Sequence, residues 1–104
     1  IALQYNITGP FHRDYNSAIS AFDNFLVEFP GSVFKEDAMF YKFDSAYKLA
    51  TNSVDWKEAA RVEKAIKYYN SLLFVFPETK YSVQLKQMYQ ELQEIQNQST
   101  TTKS

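Results

Sequence analysis

Two stretches of the chain superimpose at an offset of 47 residues, and each closes on a phenylalanine followed by a proline. Ala18 falls on Ala65, Ile19 on Ile66, Phe22 on Tyr69, Leu26 on Leu73, Phe29 on Phe76 and Pro30 on Pro77. The register survives the proline, with Ser32 on Thr79 and Phe34 on Tyr81. Inside the first stretch, Tyr15, Ala18, Ile19, Phe22, Phe25, Leu26 and Phe29 recur at the spacing of one α-helical face. A repeat of this size made of helix pairs specifies a helical solenoid, in which each unit buries its apolar face only against its neighbours. The expected fold is all-α: a stack of antiparallel helix pairs, with about four helices and a helix remnant at the N-terminus.

The first helix is expected from Tyr15 to Phe29. Asp14 is placed to cap it and Pro30 to stop it, because proline disfavours helical geometry at the preceding residue; Gly31 eases the turn. The second runs from about Val33 to Ala50, with Ser32 as cap and Glu36 and Asp37 in a first turn where the helix dipole favours negative charge. It carries two apolar stripes, one through Phe34, Ala38, Tyr41 and Ser45, the other through Met39 or Phe40, then Phe43, Tyr47 and Ala50. A helix apolar on both sides is packed from both sides. The third runs from about Trp56 to Phe76, where Asp55 and Glu58 have capping-box spacing. Its buried face holds Ala59, Val62, Ala65, Ile66, Tyr69, Leu72, Leu73 and Phe76. The fourth, from about Lys80 to Ile95, has one narrow stripe (Tyr81, Leu85, Met88, Leu92, Ile95) and a polar back, as suits the last helix of a stack. Residues 1–96 thus read as one helical repeat domain. Ile1 to Ile7 read as the tail of a preceding helix, and 97–104, sequence NQSTTTKS, as a disordered tail. The opening on Ile1 reads as a cut from a longer parent.

Composition narrows the function. Two glycines and three prolines are too few for sheets joined by tight turns. The net charge of −1, with 11 scattered basic residues, offers no basic stripe for nucleic acid. Without cysteine there is no disulfide, thiol nucleophile or thiolate metal site. His12, the one histidine, sits in a Gly-Pro context that reads as a surface loop. The carboxylate pairs Glu36/Asp37 and Glu91/Glu94 read as first-turn and solvated residues rather than an acid and base. No catalytic residue, cofactor or metal is expected, and the chain reads as no enzyme.

Ala18, Phe22 and Pro30, and again Ala65, Tyr69 and Pro77, resemble the second helix of a tetratricopeptide (TPR) repeat. Phe25 and Leu72 are large where that motif has a small residue, and 47 residues exceed the usual period of about 34. Both departures point away from a standard peptide-groove TPR. The segments FLVEFPGSVFKEDAMF and SAYKLATNSVDWKEAARVEKAIKYYNSLLFVFPETKY, with the closing amphipathic helix, resemble the BamD family over residues from about 11 to 96. These are the TPR lipoproteins of the outer-membrane β-barrel assembly machinery of Gram-negative bacteria. The resemblance is to the C-terminal repeats, and the motif F-P-x-[ST]-x-[FY] occurs twice, at Phe29–Phe34 and Phe76–Tyr81.

The resemblance implies a protein-protein interaction scaffold at the periplasmic face of the outer membrane. Its implied partners are periplasmic domains of the barrel-assembly subunit BamA and accessory lipoproteins, and its only membrane link is an upstream lipid anchor. The alternatives are a TPR adaptor for a peptide or chaperone tail, which needs a groove with convergent Lys, Arg or Asn, and an accessory domain of an enzyme. The partner-binding candidates are Trp56, Lys57, Arg61 and Lys64. Trp supplies large rigid contact area and Arg pairs with carboxylates in a planar fork. Arg61, Lys64 and Lys67 follow one another at steps of three along the third helix. The competing readings are that Trp56 staples a loop and that the cations are a solvated face.

Overall fold

A computed structural model describes residues 12–52 and 58–103, with the side chains of 15–52 and 58–98. Four helices follow one another: α1 His12–Glu28, α2 Lys35–Thr51, α3 Glu58–Val75 and α4 Ser82–Lys103, and no strand occurs among the described residues. α2 is the central element, packed against α1 on one side and α3 on the other; α4 packs on α3 and touches α2. The two-sided stripe pattern of α2 explains this. Phe43, Ser45 and Ala50 are fully buried and Ala38, Phe40 and Leu49 nearly so, because a helix covered from both flanks keeps no solvent side at these positions. α4 is covered on one side only, through Leu85 and Leu92, with Tyr81, Met88 and Ile95 half-buried beside them.

The 47-residue register holds at the level of backbone hydrogen bonds. α1 ends at Glu28 and α3 at Val75; α2 begins at Lys35 and α4 at Ser82. In the first turn, Phe29 N–H bonds Phe25 O at 2.8 Å, Ser32 N–H bonds Phe29 O at 3.1 Å and Lys35 N–H bonds Ser32 O at 3.1 Å. In the second, Phe76 N–H bonds Leu72 O at 2.7 Å, Thr79 N–H bonds Phe76 O at 3.1 Å and Ser82 N–H bonds Thr79 O at 3.2 Å. The hydroxyl two residues after each proline caps its own turn: Phe34 N–H bonds Ser32 Oγ at 3.0 Å, and Tyr81 N–H bonds Thr79 Oγ1 at 3.3 Å. These local bonds are the physical content of F-P-x-[ST]-x-[FY]. Proline ends the helix, and the hydroxyl of the [ST] residue satisfies an amide that the next helix leaves open.

Several details differ from the sequence expectations. α1 begins at His12, so His12 lies in helix rather than loop and Asp14 lies inside the helix. Ser32 precedes the helix by two residues more than a cap would; Phe34 takes the cap position of α2 without a side-chain bond. Gly31 has no left-handed backbone, and nothing lies within 4 Å of where its Cβ would be. Its counterpart in the second turn is Glu78, so the turn needs no glycine. Ala59 and Phe29, expected on buried faces, are exposed. Phe22 and Tyr69 are equivalent but only half-buried, each ring reaching an aromatic on the following helix: Phe22 stacks on Tyr41 and Tyr69 on Tyr89. α4 runs to Lys103, past the expected break at Asn97, because 97–103 contains neither glycine nor proline to stop it. The expected capping box at Asp55 and the remnant at Ile1–Ile7 lie outside the described residues.

Candidate functional site

The two repeats are joined by a polar clamp that the sequence reading assigned to the helix dipole alone. Glu36 and Asp37 open α2, and the turn before α4 lies against them. Thr79 Oγ1 donates to Glu36 Oε2 at 2.6 Å, and Lys80 N–H donates to the same oxygen at 2.9 Å. Lys80 Nζ lies 2.9 Å from Asp37 Oδ1, which also accepts the Tyr81 hydroxyl. The Tyr81 ring stacks on Phe40 with centroids 3.9 Å apart and planes 4° from parallel. Further along the seam the Tyr47 hydroxyl donates to Glu91 Oε1 at 2.5 Å. Glu36 is thereby held below the ordinary carboxylate value, chiefly by the Thr79 hydroxyl and then the Lys80 amide. Asp37 is lowered by the Tyr81 hydroxyl and then Lys80. The phenols of Tyr81 and Tyr47 are pushed up, first by burial and then by their carboxylate partners. These carboxylates are fixed as acceptors in a structural seam, and among the described residues no group of acidic or histidine side chains could hold a metal.

On the α1 side of α2 a cleft of about 570 Å³ lies open. Phe22 and Phe25 form one wall, Phe34 and Tyr41 line the α2 side, and Tyr81 with Lys80 closes one end. Ala21 lies at its edge, itself exposed. The cleft is aromatic, and its one cation, Lys80, is held by Asp37. Sequence reasoning missed it, because each of its aromatics sits at a core-like helical spacing. The signal available was the repeat itself: Phe34 matches Tyr81 in sequence but not in surroundings.

The partner-binding candidates fare unequally. Trp56 and Lys57 lie outside the described residues. Arg61 is half-buried on α3 and engaged within the fold. Lys64 and Lys67 are exposed. At 100° per residue, steps of three carry these positions around the helix, so they do not form one straight strip. α3 also exposes Phe74, at 88%, and its counterpart on α1 is Val27, at 82%. The position is an outward apolar one in both repeats, off the main stripe in each. No helix among the described residues is long and apolar enough to cross a membrane.

Paired helices, a shared 47-residue register and a seam between repeats define the class: an all-α, TPR-like helical repeat module. The chain belongs to the family described as YfiO, outer membrane lipoprotein, which matches residues 11–99. No curated protein matches the chain, and no solved structure does.

Proposed function

We propose that this chain is a docking scaffold of outer-membrane β-barrel assembly, working at the periplasmic face of the outer membrane and performing no catalysis. Its partners are the periplasmic domains of the barrel-assembly subunit BamA and accessory lipoproteins, and its attachment to the membrane is a lipid anchor upstream of these residues. The observation that carries this reading is the match to the outer membrane lipoprotein family across 11–99, nearly the whole chain. The clamped seam supports it. With α2 fixed between α1 and α3, and α4 tied to α2 by Glu36, Asp37 and Tyr47, the surface is ordered before a partner arrives, so binding costs little ordering entropy.

The proposed contact face is the start of α3: Trp56, Lys57, Arg61 and Lys64. Lys64 is its cleanest reporter, being exposed. Lys64→Glu leaves the melting temperature within a degree or two, as surface changes usually do. It weakens capture of the periplasmic domains of BamA in a pull-down. Arg61→Glu weakens capture too and costs some stability, because Arg61 is half-buried. Full capture by both variants at unchanged stability removes this face from the proposal. A peptide-tail adaptor is less well supported. Such a receptor needs convergent cations to take a carboxylate, and the one cation in the aromatic cleft is committed to Asp37.

A further inference from the structure

Seven large apolar side chains stand exposed among the described residues, and all seven fall within 27–34 or 74–83. The two stretches are one element of the repeat, since residue 27 maps on 74 and 34 on 81. Each holds the last turn of one helix and the proline turn that leads to the next; the second also includes the start of α4. Successive helices alternate in direction, so both stretches lie at the same end of the stack. Bonds between them agree: Thr79 and Lys80 of the second turn reach Glu36 and Asp37, just after the first. The 17 residues of α1 span about 25 Å and separate this end from His12. Val33 and Phe74, one in each stretch, are the most exposed, at 88%. Exposed apolar groups gathered in one place mark a contact surface for another protein or for a membrane.

We propose that this proline-turn end rests on the lipid bilayer, with Val33 and Phe74 inserted at the boundary between headgroups and acyl chains. The inference rests on the membrane attachment proposed above and adds a second contact to it. The chain belongs to a family of outer membrane lipoproteins, so a bilayer is the surface its attachment brings near. A flexible anchor attaches a domain without orienting it; a rigid end seated in the interface does orient it. The shape suits a bilayer better than a protein. The apolar groups are split between two turns rather than gathered in one groove. A protein would need a complementary hollow for each turn, whereas the headgroup boundary admits apolar side chains wherever they stand. The charges decide the mode of contact. The two stretches carry Glu28, Glu78 and a single cation, Lys80, which is paired with Asp37. That offers no polybasic attraction to anionic lipid, so the contact is apolar insertion into a neutral surface. The seam matters here, because the bonds from Thr79 and Lys80 to Glu36 and Asp37 hold the turns side by side. Once one turn has inserted, the other is already at the interface.

The chain is tethered through a histidine-tagged N-terminal linker to phosphatidylcholine vesicles carrying a nickel-chelating lipid. The tether supplies the attachment, so the result does not depend on the natural anchor. Trp56→Phe removes the native tryptophan, and Phe74→Trp or Asn97→Trp places one at the turn end or toward the far end. Asn97 is exposed and lies about 22 Å along α4 from Ser82. Brominated phosphatidylcholine quenches the tryptophan of Phe74→Trp and not that of Asn97→Trp, in high salt as in low. Val33→Asp, in the other turn, weakens insertion at position 74 about tenfold, as loss of one inserted apolar side chain does. Val33→Ile preserves it. Val33 is exposed, so neither change moves the melting temperature by more than a degree or two. No quenching at 74, equal quenching at 74 and 97, quenching lost in high salt, or quenching indifferent to Val33→Asp overturns the proposal. So does a tryptophan at 74 that acrylamide cannot reach in the chain without vesicles, because the chain itself or a second copy then covers this end. Capture of BamA domains by the wild-type chain in solution tests the scaffold reading separately. Insertion without capture leaves this proposal standing, and capture without insertion removes it alone.

Discussion

Thr79→Val removes one hydroxyl from the seam and keeps the shape of the side chain. In the structure that hydroxyl donates to Glu36 at 2.6 Å from a position only 4% exposed. A hydrogen bond to a charged acceptor contributes about 1.5–3 kcal/mol. Glu36 is half-buried and retains the Lys80 amide, which puts the loss near the lower end, about 1.5 kcal/mol. For a domain of this size that is a fall in melting temperature of roughly 6–12 °C. Thr79→Val also deprives the Tyr81 amide of its acceptor, so the single variant overstates the pair. A double-mutant cycle with Glu36→Gln isolates it, with an expected coupling of about 1 kcal/mol. The pH dependence gives a second handle. Glu36 is held below its ordinary value of 4.5 in the folded state, so the unfolded state binds the proton first as pH falls. The stabilisation is complete above about 4.5 and disappears as pH drops through the folded value. The gap between wild type and Thr79→Val is therefore full at pH 7 and narrows below pH 4.5. A coupling within 0.3 kcal/mol of zero, about the scatter of additive sites, or a gap independent of pH, refutes the clamp.

Three further substitutions test the packing. Leu72→Ala empties a fully buried site between α3 and its neighbours and costs about 2–5 kcal/mol in chemical denaturation. Ser45 is fully buried and its hydroxyl finds no partner among the described residues; Ser45→Ala is expected to be neutral or to stabilise by about 1 kcal/mol in the same assay. Gly31→Ala meets open space and no left-handed backbone, so it raises the unfolding midpoint by about 0.4–1 kcal/mol through the unfolded chain.

Periodicity made the helices legible, and the reason is local. Pro30 and Pro77 fix two ends outright, and the stripe through Leu85, Met88, Leu92 and Ile95 leaves only one face to bury. The two-sided pattern of α2 correctly gave its central position. The helix starts were less legible: α1 is already helical at His12, two residues before Asp14, and Phe34 rather than Ser32 takes the cap position of α2, without a side-chain bond. The site was the least legible part. Glu36 and Asp37 carry a first-turn signature whether or not anything docks on them, and only the fold brings Thr79, Lys80 and Tyr81 to them. Likewise Phe34 and Tyr81 are interchangeable in the motif, while one is stacked on Phe40 and the other faces solvent. Sequence period reports which residues are equivalent; it does not report which equivalents are covered.

Where the repeats diverge, the divergence follows position in the stack. The turns share their backbone bonds, so any residue the turn itself requires is the same or similar in both: proline, a hydroxyl, an aromatic ring. Some of the residues that differ are those that meet a neighbouring repeat in one copy only. Lys80 meets the acids of α2, and its counterpart Val33 meets none. Glu36 and Asp37 receive the second turn, whereas their counterparts on α4 are Val83 and Gln84, with Val83 70% exposed. Without a carboxylate at 83, a third turn docking on α4 would lack the acceptor that Glu36 gives Thr79. Burying that donor without a partner costs about 1–3 kcal/mol. The polar outer face of α4 adds a desolvation cost of the same sign. The acceptor that Glu36 supplies on α2 is therefore not repeated at Val83 on α4.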